Sequence, residues 1–298
     1  MRSLGGQAFR PFLELARAEQ RVRAVMLRGA GGGMVLLRPV AGIRILLLFQ
    51  RVPDHDAWRA GPRFRDDSTD YTSSVAFPLY LTLWILLAFL SGSIPFGWLF
   101  AKARGVNLRA VGSGNIGGTN VWRALGWRYG AAVLLLDALK GFAPVFALEY
   151  CLAALPADYA PPGWQPWLFM LTALAAVLGH TFTPWLGFRG GKGVATGAGV
   201  VIALFQLWVL PVLALFGLVL ASTRFVSLGS IMAALLLAAL SLSIPAIRPY
   251  WPFALAALVL VVWTHRSNIE RLLAGTENRV GEKKAEQRDA PAPGEPDA

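Results

Sequence analysis

Cysteine is nearly absent from this chain. Its 298 residues hold one, Cys151, inside an apolar run. A lone thiol closes no intrachain disulfide, and no metal-type cysteine spacing exists, so a disulfide scaffold and a thiolate metal site are both excluded. Cys151 reads as a small core or lipid-facing residue. Histidine is almost as rare, with His55, His180 and His265 the only three. Acids are outnumbered, 17 Asp and Glu against 28 Lys and Arg. No dense carboxylate cluster occurs, so no oxygen-ligand metal centre is expected. The start of the chain lacks a long apolar stretch followed by a small-residue cleavage site and does not read as a signal peptide. No internal repeat is evident.

Apolar sequence is what the chain has in quantity. Hydrophobic residues make up 55% and the mean hydropathy is +0.52, well above a soluble domain. A membrane-crossing helix needs about 20 largely apolar residues. Seven segments meet or approach that length, at 77–100, 130–152, 167–186, 194–210, 211–224, 228–245 and 250–264. The expected fold is therefore all-α, a polytopic integral membrane bundle of about seven transmembrane helices. The fourth and fifth segments are short and meet at Pro211, so they form either two crossings or one kinked or re-entrant unit.

Three regions follow from composition. Residues 1–75 carry twelve arginines, no lysine and seven acids. They read as a disordered or loosely amphipathic extension, or as a misassigned start. Residues 76–280 form the membrane domain. Residues 281–298, rich in charge, alanine and proline, read as a disordered tail.

The net charge of +11 calls for anionic partners. Nucleic acid is disfavoured, because much of the charge lies in short loops between apolar segments. Lys102, Arg104, Arg109, Arg123 and Arg128 follow the first segment, Arg189 and Lys192 the third, and Arg224 the fifth. Arg266, Arg271 and Arg279 follow the last. With seven crossings, all four groups fall on one side. Short basic loops face the cytoplasm, which places the N-terminus outside and the C-terminus in the cytoplasm.

The informative polar clusters share that basic side. Gly112-Ser113-Gly114-Asn115-Ile116-Gly117-Gly118-Thr119-Asn120, followed by Arg123, is too glycine-rich for a stable helix. Its amides suit an anion, and Ser113, Asn115 and Thr119 add hydrogen-bonding side chains. Gly190-Gly191-Lys192-Gly193 precedes an apolar helix. Free amides, helix dipole and ammonium together suit a phosphate there. Gly193 stands where a nucleotide-binding loop would carry Ser or Thr, so an ATPase is disfavoured. Ser227-Leu228-Gly229-Ser230 opens the sixth segment. His265-Arg266-Ser267-Asn268 closes the last, with His265 and Asn268 spaced to share a helix face and His265 a candidate general base. Asp137 and Lys140, three apart within the second segment, read first as an ion pair fixing the bundle and second as a proton or substrate group. His180 reads as a structural hydrogen-bonding residue.

Two phosphate-suited loops, cations and one histidine beside apolar helices favour joining a small anion to a lipid chain. The different-class alternative is a transporter or channel for a phosphorylated or anionic solute, which broken helices and mid-membrane charge would also suit.

In their order and spacing these stretches resemble the PlsY family, bacterial membrane acyl-phosphate:glycerol-3-phosphate acyltransferases. The resemblance spans about residues 78–280. It rests on Gly92-Ser93-Ile94-Pro95-Phe96-Gly97, the 112–120 loop, Leu136-Asp137 through Lys140-Gly141, Gly179-His180, the loop from Gly190 to Thr196, Ser227 to Ile231, and His265 to Glu277. It implies seven transmembrane helices, a cytoplasmic-facing site, acyl phosphate and glycerol 3-phosphate as substrates, and lysophosphatidic acid and phosphate as products. No cofactor and no metal are implied. The enzyme that forms the acyl phosphate is the expected partner. Ser113, Arg123, Ser230, His265 and Asn268 match the family's catalytic positions. Gly190, Gly191, Lys192, Gly193, Asn115 and Thr119 match its phosphate-binding loops. Pro184 lies one place late after His180, Ser267 replaces a common glutamate, and residues 1–75 have no counterpart.

Overall fold

A computed structural model describes residues 71–155, 159 and 163–281. The Arg-rich extension, His55 included, and the tail beyond residue 281 lie outside the described residues. The described residues form ten α-helices: α1 Tyr71–Ser93, α2 Phe96–Lys102, α3 Gly118–Leu125, α4 Trp127–Ala153, α5 Gln165–Thr181, α6 Val194–Phe205, α7 Val209–Thr223, α8 Val226–Ser243, α9 Trp251–Thr264 and α10 Arg266–Leu273. Among the described residues, five stretches are long and apolar enough to cross a membrane: Phe77–Lys102, Trp127–Ala153, Gln165–Leu186, Val194–Thr223 and Val226–Ser243. Arg248–Thr264 is apolar but shorter. Helix α1 packs on α5, α4 on α6, α7 on α8, and α8 on α9. Two seams are tight because they meet at glycine. A Cβ at Gly92 would collide with the Ala176 carbonyl, and one at Gly199 with that of Ala138. Close backbone approach at small residues is how helices associate where no water drives them together.

Prolines interrupt the ladder inside this apolar setting, and side chains repair it. Pro144 brings no N–H for the Lys140 carbonyl, which accepts instead from Ser91 Oγ at 3.0 Å. Before Pro95 the chain leaves helix. The Ile94 carbonyl accepts from Lys140 Nζ at 2.6 Å and the Ser93 carbonyl from Thr183 Oγ1 at 2.6 Å. Lys140 Nζ also lies 2.7 Å from Asp137 Oδ1, both side chains buried. The pair thus closes a break between α1 and α2, which is the bundle-fixing role.

The stretch 194–223 is not one crossing. Lys192, just before α6, hydrogen-bonds Asn268, and Asn268 donates to Glu277. Arg224, just after α7, donates to the Val280 carbonyl at 2.6 and 2.9 Å. Both ends therefore lie on one face, and α6 and α7 run out and back. At 1.5 Å per residue the legs are about 18 and about 22 Å long, each short of a hydrocarbon core of about 30 Å. The turn is the 3-10 segment Gln206–Trp208, with Gln206 at φ +50°, not Pro211. Pro211 sits in the first turn of α7, where its missing N–H has no intrahelical bond to lose.

The same contacts gather the basic loops. Arg109 donates to the Arg189 carbonyl at 2.8 Å, Lys192 reaches α10, and Arg224 reaches residue 280. All four groups share one face.

Candidate active site

The 112–120 loop is organised by one side chain. Asn120, buried in the first turn of α3, directs Nδ2 to the carbonyls of Leu108, Val111 and Asn115 at 3.1, 3.0 and 2.8 Å. Its Oδ1 accepts the Ser113 amide at 3.0 Å. Gly112, at φ +60°, leaves room for that oxygen, which a Cβ would strike. Asn115 Oδ1 accepts the Gly117 amide at 2.8 Å. Gly117, Gly118 and Thr119 form the opening of α3, with Arg123 one turn on, and all line a cavity of about 480 Å³.

The second loop divides its amides. Gly190 donates to the Thr181 carbonyl at 2.9 Å and Gly191 to that of His180 at 3.1 Å. A Cβ at Gly191 would strike the His180 ring. These two amides are not free for a ligand, and neither glycine lines the cavity. Gly193 does, as the N-cap of α6 at φ +76°, with Lys192, Val194 and Ala195 beside it. The first amides of a helix have no partner within it, so the openings of α3 and α6 both turn partial positive charge toward one space. His180 fills the room behind the loop. Its Nδ1 lies 3.8 Å from Asp137 Oδ1 and has no hydrogen bond, so its structural part is played by its carbonyl and its bulk.

Helices α8 and α10 meet on a carboxylate. Glu277 Oε1 accepts from Ser227 Oγ at 2.9 Å and from Asn268 Nδ2 at 2.6 Å, while Oε2 accepts from Arg271 Nε at 2.7 Å. Asn268 in turn accepts from Lys192 Nζ. Ser230 is buried with its hydroxyl on the Val226 carbonyl at 2.8 Å. His265 is only 2% exposed at the α9–α10 junction. Its Nδ1 lies 2.8 Å from the Val261 carbonyl, which can only accept, so Nδ1 carries the hydrogen and Nε2 keeps its lone pair.

Ser113, Asn115, Thr119, Arg123, Lys192, Gly193, Ser230, His265 and Asn268 all line the one cavity, joined by Glu277. The family model for glycerol-3-phosphate acyltransferase matches residues 82–275. The chain belongs to the glycerol-3-phosphate acyltransferase family. A family member from Geobacter sulfurreducens is 49% identical over 196 residues, covering 65% of this chain and 94% of the relative. One from Thermus thermophilus is 44% identical over 205 residues, covering 67% and 94%. The crystal structure of PlsY (YgiH), an integral membrane glycerol 3-phosphate acyltransferase in its glycerol 3-phosphate form, superposes with a TM-score of 0.61 at 39% identity, covering 68% of this chain and 96% of PlsY. A lysophosphatidic acid form of PlsY superposes at 0.59 and 38% identity, with the same coverage. This chain is accordingly an acyltransferase, and an anionic-solute transporter is set aside.

The acyltransferase site is electropositive and partly dry. Burial lowers the Lys192 ammonium to about 8, Glu277 opposes that shift, and Arg271 and Arg123 add to it. Burial likewise lowers the Arg123 guanidinium, against the pull of Glu277. Burial and the Lys192 charge push the His265 imidazole down to about 4. Burial alone would raise the Glu277 carboxyl, but hydrogen bonds from Asn268, Arg271 and Ser227 hold it below its usual value. Three cations thus surround one carboxylate that is already satisfied, leaving positive charge for a substrate.

Glu277 is the residue the sequence did not single out for chemistry. A faint signal exists: between Tyr159 and Gly281 the only acids are Glu270 and Glu277, amid many bases. An isolated acid in a basic stretch has an obvious use as a hub for cations.

Proposed function

We propose that this acyltransferase takes its acyl group from an acyl phosphate and passes it to the 1-hydroxyl of glycerol 3-phosphate, leaving lysophosphatidic acid and inorganic phosphate. The observation that carries the proposal is the gathering of two helix openings, Lys192 and Arg123 at one end of a cavity whose remaining lining is largely apolar. Two phosphates and one acyl chain are the ligand set such a space suits.

Lys192 and the opening of α6 hold the phosphate of glycerol 3-phosphate. Arg123, Ser113 and the opening of α3, with Asn115 and Thr119, hold the phosphoryl group of the donor. His265 and Asn268 orient the attacking hydroxyl, and Ser230 shapes the wall behind it. The hydroxyl oxygen bonds to the acyl carbon and the bond from that carbon to the phosphate oxygen breaks. The hydroxyl proton passes by way of His265 Nε2 to the departing phosphate oxygen, so that the leaving group is released as hydrogen phosphate. Phosphate is a good leaving group, so positioning and charge stabilisation supply the catalysis without an acyl-enzyme.

The basic face is the cytoplasmic face of a bacterial inner membrane, with the C-terminus inside. Helices α6 and α7 begin and end on one face, so with Arg248–Thr264 as a pass the number of crossings is odd whether they count as two short passes or as one re-entrant unit, which puts the N-terminus outside. Labelling of a Gly275→Cys variant that also carries Cys151→Ser, by an impermeant thiol reagent added outside intact cells, would contradict that orientation. The donor is tested on detergent-purified protein given glycerol 3-phosphate with either palmitoyl phosphate or palmitoyl-CoA. Lysophosphatidic acid is expected from the acyl phosphate alone. Product from the thioester alone would overturn the donor assignment, and with it the upstream acyl-phosphate-forming enzyme as partner.

A further inference from the structure

The apolar part of the cavity has a measurable depth and a closed end. Along α9 its lining runs from His265 through Val261 and Ala257 to Phe253. Twelve residues of helix rise about 18 Å. Helix α8 agrees, lining the same space from Ser227 to Leu237, about 15 Å. At the far end Phe253 and Leu237 are buried, at 3% and 4% exposure. Behind Phe253, Phe205 and Tyr250 pack into an aromatic block, with ring centroids 6.4 and 5.7 Å apart for the tilted Phe205–Phe253 and edge-on Phe205–Tyr250 pairs. The side wall is open by contrast. Trp122, Leu134 and Leu213 line the cavity and are exposed at 45%, 36% and 40%. A Cβ placed on Gly197, midway along the lining of α6, would meet nothing within 4 Å.

The slot is thus entered sideways, has its reacting groups at one end and stops at a wall. Resting on the acyl-phosphate reading above, we propose that it is a ruler: Phe253 sets the length of acyl chain the enzyme prefers, and Ala257 keeps the bore clear. Lipid tails are as apolar as the slot, so burial itself favours no length. Fit decides. A short chain leaves a void at the wall, and a long one must buckle or back out through the side, lifting its carbonyl away from His265. Carbon–carbon bonds of about 1.5 Å in a zig-zag advance about 1.25 Å per carbon. A slot of about 18 Å then holds about 14 carbons. A ring at position 257, eight residues from His265, would stop the chain at about 12 Å, about ten carbons.

The test is a chain-length profile. Saturated acyl phosphates of even length, from about eight to about eighteen carbons, are given with glycerol 3-phosphate to wild type, Ala257→Phe, Phe253→Leu and Phe253→Ala, each checked for a monodisperse gel-filtration peak. Ala257→Phe should move the optimum down by about four carbons, and the smaller side chains at 253 should move it up by about two to four. Discrimination of about tenfold between the optimum and a chain four carbons longer is expected of a pocket that senses methylenes. Folded Ala257→Phe with the wild-type profile overturns the ruler while leaving the acyl-phosphate reading intact, and so does a wild type that uses all lengths equally. Wild type that transfers from no acyl phosphate overturns both.

Discussion

Ser227 and Glu277, fifty residues apart in sequence, meet in a hydrogen bond of 2.9 Å. With Asn268 and Arg271 on the same carboxylate, the bond ties the start of α8, helix α10 and the segment after Gly275 into one rim. That rim carries Asn268, the partner of Lys192.

Glu277→Ala should therefore cost both stability and activity. Removing the acceptor leaves three donors facing a gap, at about 2–4 kcal/mol, with kcat/KM down at least about tenfold. The pH sign is fixed by the lowered carboxyl. Its stabilisation is full above the unfolded value of about 4.3 and is lost as pH falls through the lower folded value. Thermal unfolding in detergent on the acid side should show this slope in wild type and not in Glu277→Gln. Identical acid slopes would contradict the hub.

The crossing segments were legible because long apolar runs have few other uses, and the Lys192 loop because lysine among glycines before a helix is a specific combination. The rim was not, since the partners of Glu277 lie 50, 9 and 6 residues away and no local pattern pairs them. Pro211 misled for a physical reason: proline breaks helix interiors but is tolerated in a first turn. The better marker was Gln206, a polar residue inside an apolar stretch. The amides of Gly190 and Gly191 look free for a ligand in the sequence, which does not reveal that carbonyls of α5 already take them.

Lys192 sets an alkaline limit. Its ammonium, lowered to about 8 by burial, loses its charge as pH rises through that value, so KM for glycerol 3-phosphate should climb above about pH 8. A guanidinium stays charged there, so Lys192→Arg, if active, should lose that climb. Lys192→Ala should cut kcat/KM by about ten- to a hundredfold, the worth of a charge-assisted hydrogen bond of about 1.5–3 kcal/mol. A KM flat from pH 7 to 10 in wild type, a range bracketing the usual lysine value of about 10.4, would contradict the assignment.

His265 should show its acid limb far from the usual imidazole value. Burial and the Lys192 charge bring it to about 4, so it is neutral across the neutral range and takes up the proton only in transit to the phosphate. The kcat/KM profile of wild type should show no transition near the ordinary histidine value of about 6.5 beyond that of the substrate phosphate at about 6, and His265→Ala should lose most of the rate at every pH. A wild-type transition there that vanishes in His265→Ala would show the imidazole titrating unperturbed and contradict its burial.

Asp137 and Lys140 separate structure from chemistry. Breaking the buried pair by Asp137→Leu or Lys140→Met alone should destabilise by about 3–5 kcal/mol, because one charge is left uncompensated. The double variant should melt above either single one and retain transfer activity. A stable but inactive double variant would place Asp137 in the reaction.

The most direct measurement follows lysophosphatidic acid and inorganic phosphate together, from palmitoyl phosphate and glycerol 3-phosphate, in wild type and Lys192→Ala. The two products should rise one for one in wild type, with no phosphate released when glycerol 3-phosphate is left out, and both should fall together in the variant. Phosphate released without lysophosphatidic acid, or a Lys192→Ala protein as active as wild type, would contradict acyl transfer at this site.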